Sequence, residues 1–469
     1  MSLHMNAFEC PFSYHGRKNP KQIALVSAQT NWDYKTCHQV IETLAAALKQ
    51  QGVKSGDRVA IYPTLEFSTP LLFFALFRLG AICCPLNTYS PLNQLPQTLD
   101  ALTATYFVFP NTLKKKIPQV KQIALTFETL LKKSPSLSTD SHFLSKDARA
   151  TYLMTSGTTQ TPKIACHSLG NHYYSALGSN AYLPVQAGDR WLLSLPLYHV
   201  AGIALLFRTF LAGATVVIPE GKPHEVTTVL NSKATHVSFI PTQLQRLLDS
   251  ASYSNLLKIQ HQLKSILLGG SSIDTSLIQT CREQGLSVFP SYGMTEMSSQ
   301  ICTQFTTDCS AFSLGHPLPY REIAIDSKNE IQVRGKTLFL GYLNEQKSLN
   351  LPLDLNGFFA TGDLGVYSPK SGLQIHGRKD RLFISGGENI YPEEIETYLR
   401  QVEGMIEVRI EPKLDEEFGM RPVAFIQSSK SYHQEELQDY LGSFLPKYKI
   451  PIAFYPLKKG ASKGLKSQI

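Results

Sequence analysis

No apolar run in this chain reaches the roughly 18 residues that a membrane-crossing helix needs. The most apolar stretch, Leu71 to Pro85, is interrupted by Arg78 and Gly80, so no span is expected. The opening Met1-Ser2-Leu3-His4-Met5 lacks the charged-then-apolar order of a signal peptide, which makes the cytoplasm the expected compartment. None of the eight cysteines forms a Cys-x-x-Cys pair. That spacing argues against structural zinc, and a chain this long needs no disulfide framework. The cysteines are therefore expected to be reduced and mostly core-filling. Dense Lys/Arg tracts with interleaved aromatics are also missing. The short Lys114-Lys115-Lys116 run reads as a solvated loop, so nucleic acid is not an expected partner. Internal repeats and low-complexity tracts are absent as well.

What is present is ordinary globular composition, 43% hydrophobic and 17% charged. At 469 residues the chain exceeds what one core organises, so at least two domains are expected. Its net charge of +8 mildly favours anionic ligands such as nucleotides. Ile41, Leu44, Ala45 and Leu48 recur at helical spacing before Gly52. Short apolar runs then alternate with helical patterns: Arg58 to Tyr62, Ala81 to Pro85, Tyr106 to Phe109, Thr215 to Ile218, His236 to Ile240 and Ser265 to Leu268. Continuously apolar strands alternating with helices predict parallel sheets covered on both faces, an α/β fold. Past about residue 320 the alternating runs Glu322 to Ile325 and Glu330 to Val333 predict a more antiparallel region. From Gly377 onward the order is Gly-rich turn, helix, two strands and helix, enough for a small α+β domain. The boundary is placed near Asp380, giving domains 1–379 and 380–469.

Four segments carry chemistry. Thr155-Ser156-Gly157-Thr158-Thr159-Gln160-Thr161-Pro162-Lys163 follows the apolar Tyr152-Leu153-Met154. Its N–H and O–H donors and its terminal lysine suit phosphate oxygens; read alone, it fits a Ser/Thr-rich surface turn equally. It is not a Walker A loop, since no glycine precedes Lys163 and Ile164 stands where Ser or Thr would bind Mg²⁺. Ser291-Tyr292-Gly293-Met294-Thr295-Glu296 offers a ring to stack on a purine, a hydroxyl for a phosphate and a carboxylate for a hard cation. Alone it also fits a polar turn after a strand. In Ala360-Thr361-Gly362-Asp363 a carboxylate in a tight turn can accept both ribose hydroxyls, although Asp turns are common. Gly377-Arg378-Lys379-Asp380-Arg381, running into Ser385-Gly386-Gly387-Glu388, suits either a hinge beside a ligand channel or a plain linker.

In order and spacing, the four together resemble the adenylate-forming superfamily of acyl- and aryl-CoA synthetases, luciferases and peptide-synthetase adenylation domains, over nearly the whole chain. The resemblance implies a large N-terminal domain of packed sheets and helices, a small mobile C-terminal domain and a site between them. It implies ATP, Mg²⁺ and coenzyme A as ligands, a small carboxylic acid as substrate, and a monomer or homodimer. Carried over, Thr155, Ser156, Gly157, Thr158, Thr159 and Lys163 close over the β- and γ-phosphates. Gly269, Gly270 and Ser271 line the adenine pocket, with Tyr292 stacking on the base and Gly293 beside it. Thr295 contacts the α-phosphate, Glu296 holds Mg²⁺, and Asp363 and Arg378 take the ribose. Asp380 is the hinge, and Gly386 and Gly387 line the pantetheine tunnel. His199 matches a histidine near the acyl carboxylate; by itself it fits a satisfied core residue.

Two positions depart from the family pattern. The late catalytic lysine normally follows glycine, but the tail here reads Lys459-Gly460-Ala461-Ser462-Lys463-Gly464-Leu465-Lys466. The best register puts Lys463 at the catalytic position, with Lys466 as the fallback. Gln160 stands where the family usually has glycine, which costs about 1 kcal/mol or more if the position needs φ > 0.

Among subgroups, the chain resembles the o-succinylbenzoate–CoA ligases of menaquinone biosynthesis. Trp191-Leu192-Leu193-Ser194-Leu195-Pro196-Leu197-Tyr198-His199 and Thr235-His236-Val237-Ser238-Phe239-Ile240-Pro241-Thr242-Gln243-Leu244 carry that resemblance, with Glu417-Phe418-Gly419-Met420-Arg421-Pro422. Such a substrate has a second, non-reacting carboxylate, and Arg208 is the candidate cation for it, against a surface ion pair as the alternative. Another aryl- or acyl-CoA ligase, or an enzyme loading a carrier protein, shares the ATP motifs. A catalytically degenerate nucleotide-binding protein is the reading from a different class.

Overall fold

In a computed structural model of the protein, the described residues are 6–132, 142–155, 163–305 and 313–457. The large domain is built on two mixed sheets whose centres are parallel. In the first, the strands Ile82–Pro85, Arg58–Ile61, Tyr106–Phe109 and Ile123–Thr126 run parallel beside Arg149–Thr155. Beyond Arg149–Thr155 the sheet turns antiparallel through Lys163–Ser168, Gly341–Leu343 and Leu349–Asn350. In the second, Val288–Met294, Ser265–Leu268, His236–Phe239, Arg190–Leu192, Thr215–Val217 and Ile23–Val26 lie parallel in that spatial order. The apolar runs read as buried strands occupy these positions to within a residue, as strands covered on both faces must.

The main core lies among helices packed on these sheets. Tyr34–Gln50 starts where the Asp33 carboxylate accepts from the Thr36 N–H at 2.7 Å. Its stripe Ile41, Leu44, Ala45 and Leu48 is buried. Ser68–Leu79 is buried along all of 69–77, as expected of a helix apolar on every side, and ends on Gly80 at φ +67°. Phe74 of this helix packs its ring 5.0–5.7 Å from Phe12, Phe77, Phe207 and Phe210. Truncating such a ring costs about 3–5 kcal/mol. Phe207 and Phe210 belong to Val200–Leu211, so this aromatic cluster anchors the helix that carries Arg208.

The expected antiparallel region is a four-stranded sheet, Arg321–Ile325, Glu330–Gly335, Phe359–Ser368 and Gly372–Arg378. After it comes a hairpin, Phe383–Ser385 with Glu388–Ile390. Gly386 and Gly387 form its two-residue turn at φ +57° and +86°, the conformation that favours glycine at both places. The long strands Met405–Asp415 and Gly419–Ser428, the short Phe454–Pro456, and helices Pro392–Arg400 and Gln434–Gly442 complete the small domain. Ile390, Ile395, Leu399, Val408, Ile410, Ala424, Leu437 and Leu441 give it a core of its own. Met405–Asp415 runs on past its apolar part, Ile406 to Ile410, because its outer half, Glu411 to Asp415, is mostly polar and forms a ribbon with residues 419–423. The seven cysteines among the described residues are buried and unpaired. Among the same residues no helix is long and apolar enough to cross a membrane.

Candidate active site

The Ser/Thr-rich segment lies in the sequence between the antiparallel strands Arg149–Thr155 and Lys163–Ser168. At its base Thr155 pairs with Lys163, and the Thr155 hydroxyl donates to the Lys163 carbonyl at 3.3 Å. Ser156, Gly157, Thr158, Thr159 and Gln160 lie outside the described residues, as do Lys463 and Lys466. The Lys163 ammonium is 5.0 Å from the ring centre of Tyr342, whose strand pairs with that of Lys163. The Tyr342 hydroxyl donates to the Glu296 carboxylate. Burial and that carboxylate push the phenol well above its ordinary range, so it stays a donor. Glu296 itself is buried, with its carbonyl accepting from the Phe339 N–H at 2.8 Å. The adjoining Thr295 carbonyl accepts from His167 Nε2 at 2.7 Å. Burial pulls the His167 imidazole down to about 4, so it serves as a neutral donor.

Tyr292 lies on the same strand, Val288–Met294, after which the chain turns into Thr295 and Glu296. Its hydroxyl donates to Asp363 Oδ2 at 2.6 Å. Asp363 also takes Arg378 Nη1 on Oδ1 at 3.1 Å, because the two residues face each other across paired strands. Burial disfavours the Arg378 charge, but the Asp363 and Asp380 carboxylates outweigh it and raise the pKa. Gly293 meets the neighbouring chain so closely that a Cβ would lie 2.1 Å from the Ser299 carbonyl oxygen. Gly269 and Gly270 follow Ser265–Leu268, and a Cβ on Gly269 would lie 3.1 Å from the Ser291 carbonyl oxygen. Ser271 is exposed beside them. The strands thus gather the Gly269–Gly270 turn, Tyr292, Glu296, Asp363 and Arg378, which are up to 109 residues apart in the chain (378 − 269).

Asp380 accepts from Arg378 Nε at 3.2 Å, shortly ahead of the Phe383–Ser385 hairpin strand of the small domain. Gly386 receives its bond from within that domain, its N–H donating to the Phe418 carbonyl at 3.0 Å. His199 is exposed and precedes the helix Val200–Leu211. Arg208, nine residues on, is about 13 Å further along the helix.

The surface ion pair considered for Arg208 is not what the fold builds. Its side chain is 1% exposed, and Nη2 donates to the Ser299 hydroxyl at 3.1 Å. Nε is buried without a partner, and the guanidinium lies 5.9 Å from the Trp191 ring centre. No carboxylate pairs with it among the described residues. Burial pulls it down to about 9, leaving a cation at neutral pH. A desolvated cation with no counter-ion is costly unless a ligand completes it.

Tyr342, His167 and Ser299 were not legible as site residues. Each meets its partner only through strand pairing or a turn, without a local motif. His167 stands four residues beyond Lys163, the one signal that could have drawn attention to it.

The AMP-binding enzyme family matches residues 12–343. The 2-succinylbenzoate–CoA ligase of Bacillus subtilis (strain 168) is 32% identical, with 96% of this chain and 95% of that protein covered. The corresponding enzyme of Escherichia coli (strain K12) is 33% identical over 94% and 92%. Among solved structures, the B. subtilis o-succinylbenzoate CoA synthetase with its acyl-adenylate intermediate superposes with a TM-score of 0.86 at 29% identity, covering 97% of this chain and 95% of that one. The same synthetase with ATP and magnesium ion gives 0.85 at 30% identity, covering 96% of each chain.

Proposed function

The chain belongs to the AMP-binding enzyme family, and from that premise we propose that it is an ATP-dependent 2-succinylbenzoate–CoA ligase of menaquinone biosynthesis. The observation that carries the choice of acid is Arg208, a buried guanidinium with a free Nε and no carboxylate partner among the described residues. A diacid supplies the missing anion with the carboxylate that does not react. The relatives at 32% and 33% identity support the same acid.

In the first half-reaction one substrate carboxylate oxygen attacks the α-phosphorus of ATP, and pyrophosphate leaves. In the second, the CoA thiolate sulfur attacks the acyl carbon, and AMP leaves. The attacking oxygen is already anionic, so the residues mainly orient and offset charge. Tyr292 and the Gly269-Gly270-Ser271 turn hold the adenine, and Gly293 keeps the wall beside it thin. Asp363 and Arg378 take the ribose, Thr295 the α-phosphate. Thr155 and Lys163, with Ser156, Gly157, Thr158 and Thr159, enclose the outer phosphates.

Glu296 would hold Mg²⁺. No cluster of three or more metal-ligating side chains occurs among the described residues. A single buried carboxylate fits Mg²⁺, which takes one or two protein carboxylates together with phosphate oxygens. The ion would supply Lewis-acid charge to the phosphates.

His199 is assigned to the reacting carboxylate and Arg208 to the other. Lys463, or Lys466 in the alternative register, completes the adenylating site. We place the domain boundary at 379/380 and the hinge at Asp380, supported by the separate core of the small domain. Rotation there would withdraw the lysine and bring Gly386 and Gly387 to the thiol tunnel. The enzyme is read as a cytoplasmic monomer or homodimer acting on small molecules and not on nucleic acid.

The test incubates purified protein with ATP, Mg²⁺, CoA and 2-succinylbenzoate, beside benzoate, a medium-chain fatty acid and no acid. Acyl-CoA is followed by mass spectrometry. 2-Succinylbenzoyl-CoA alone is the expected product. Product from another acid only would discard the diacid and keep the ligase. Neither acyl-CoA nor pyrophosphate from any acid would discard both.

A further inference from the structure

A second buried guanidinium lies beside the first. Arg321 begins the strand Arg321–Ile325, is 5% exposed and has no carboxylate partner among the described residues. Its donors go to carbonyl and hydroxyl oxygens. Nε donates to the Gln300 carbonyl at 2.5 Å, Nη1 to the Pro319 carbonyl at 2.9 Å, and Nη2 to the Ser175 carbonyl and hydroxyl, each at 3.1 Å. The Ser175 hydroxyl in turn donates to the Ser298 carbonyl at 2.5 Å. The Ser179 hydroxyl donates to Gln300 Oε1 at 2.7 Å.

These bonds converge on a strained place. Ser298 and Ser299 have φ of 53° and 102°, backbone that side chains other than glycine rarely adopt. The carbonyls of the residues on either side of Ser299 are both held by the Arg321 network. Ser299 is the residue whose hydroxyl accepts from Arg208. The helix Leu169–Asn180 makes room for the clamp at Gly178, where a Cβ would lie 2.3 Å from Arg321 Nη1. The other end of the same turn is fixed separately, through His167 on Thr295 and through Tyr342 and Phe339 on Glu296.

We propose that Arg321 is a positioning residue for the acid substrate: it clamps the strained Ser298–Ser299 turn so that the Ser299 hydroxyl orients Arg208 toward the non-reacting carboxylate. This rests on the reading of Arg208 given above. After burial itself, the Arg208 charge is the next cause pulling Arg321 down to about 9. Two uncompensated cations side by side also strengthen the attraction for a second carboxylate.

Initial rates of the full chain, at varied 2-succinylbenzoate and at varied ATP, test the clamp with Arg321→Met, Ser175→Ala and Arg208→Ala. Arg321→Met is expected to raise KM for the diacid about tenfold, the scale of a misplaced contact, with KM for ATP within about twofold of wild type. Ser175→Ala moves the diacid KM in the same direction by less, and Arg321→Lys recovers part of the loss. A merely structural role would lower Tm and the active fraction without this split. If Arg321→Met does not fold, Ser175→Ala decides by the same readout. A diacid KM raised by Arg208→Ala but unchanged by Arg321→Met and Ser175→Ala overturns the clamp and leaves the substrate reading standing. An unchanged diacid KM in Arg208→Ala overturns that reading, and the clamp with it.

Discussion

The two ends of the proposed site, for nucleotide and for acid, are built on opposite electrostatic plans. At the nucleotide end, the polar groups already bond one another: Tyr292 to Asp363, Asp363 to Arg378, Arg378 to Asp380, Tyr342 to Glu296. At the acid end, Arg208 and Arg321 are buried cations that, among the described residues, donate to hydroxyls and carbonyls and to no carboxylate. The first end runs from the buried Tyr292 and Glu296 out to the exposed Asp380, and its pairs keep charges and ring in place. The second is stripped of water and keeps a charge uncompensated. The difference teaches that stability and recognition are separated in space. Residues of the first end contribute to both, whereas in the role proposed for it Arg208 costs stability in the free protein that a ligand anion would restore.

The comparison breaks most visibly at Glu296. Glu296→Gln is expected to lower ATP–pyrophosphate exchange about 10³-fold, the scale of losing one preorganised charge on a transition state. An exchange rate within tenfold of wild type would remove the cation role.

Behind this end, His167 is neutral in the fold, at about 4 against the ordinary 6.5. Below pH 6.5 the unfolded chain takes up a proton that the folded chain refuses until about pH 4. Its contribution is therefore full above 6.5 and declines with acid, by about 3 kcal/mol at pH 4. His172, lowered further by burial and by His167, steepens the same decline. Urea midpoints against pH would show this, and His167→Gln should flatten the curve. An equal slope in the variant would contradict it.

Arg208→Met sharpens the contrast, since it should weaken function and strengthen the fold. We expect KM for the diacid to rise about 10²-fold, as when a buried charge contact is lost. In the free protein, removing an unpaired buried cation should add about 1 kcal/mol, or about 2 °C in Tm. A fall in Tm would mean that an anion already compensates it.

Asp363→Asn should do the reverse at the other end. It leaves Arg378 and Tyr292 without their charged acceptor, lowering stability by about 1 kcal/mol and raising KM for ATP about tenfold. Unchanged thermal melting would show that the pairing at this end is incidental.

Much of the fold was legible because it is written in local patterns. Helix Tyr34–Gln50 shows in Ile41, Leu44, Ala45 and Leu48, and the strands Tyr106–Phe109 and Ser265–Leu268 coincide with their apolar runs. The ribbon beyond Glu411 escaped, since a polar strand standing off the core leaves no apolar period. In the site, Tyr292, Glu296, Asp363 and Arg378 could be picked out by motif. Tyr342 could not, because what makes it functional is a strand pairing with the neighbourhood of Lys163, 179 residues away (342 − 163).

By itself the sequence determined the family, the alternation of strands and helices, and the chemistry carried by each motif. Those rest on short-range rules: side-chain periodicity, turn residues, and spacings within about ten positions. Only the tertiary structure decided that Arg208 is a buried cation with no carboxylate partner among the described residues, that Glu296 is held by Tyr342, and that Ser299 sits strained between two carbonyls, one held by Ser175 and the other by Arg321. Burial and hydrogen-bond partnership depend on which distant segments pack together. A guanidinium reads the same in the sequence whether water, a carboxylate or a serine hydroxyl surrounds it.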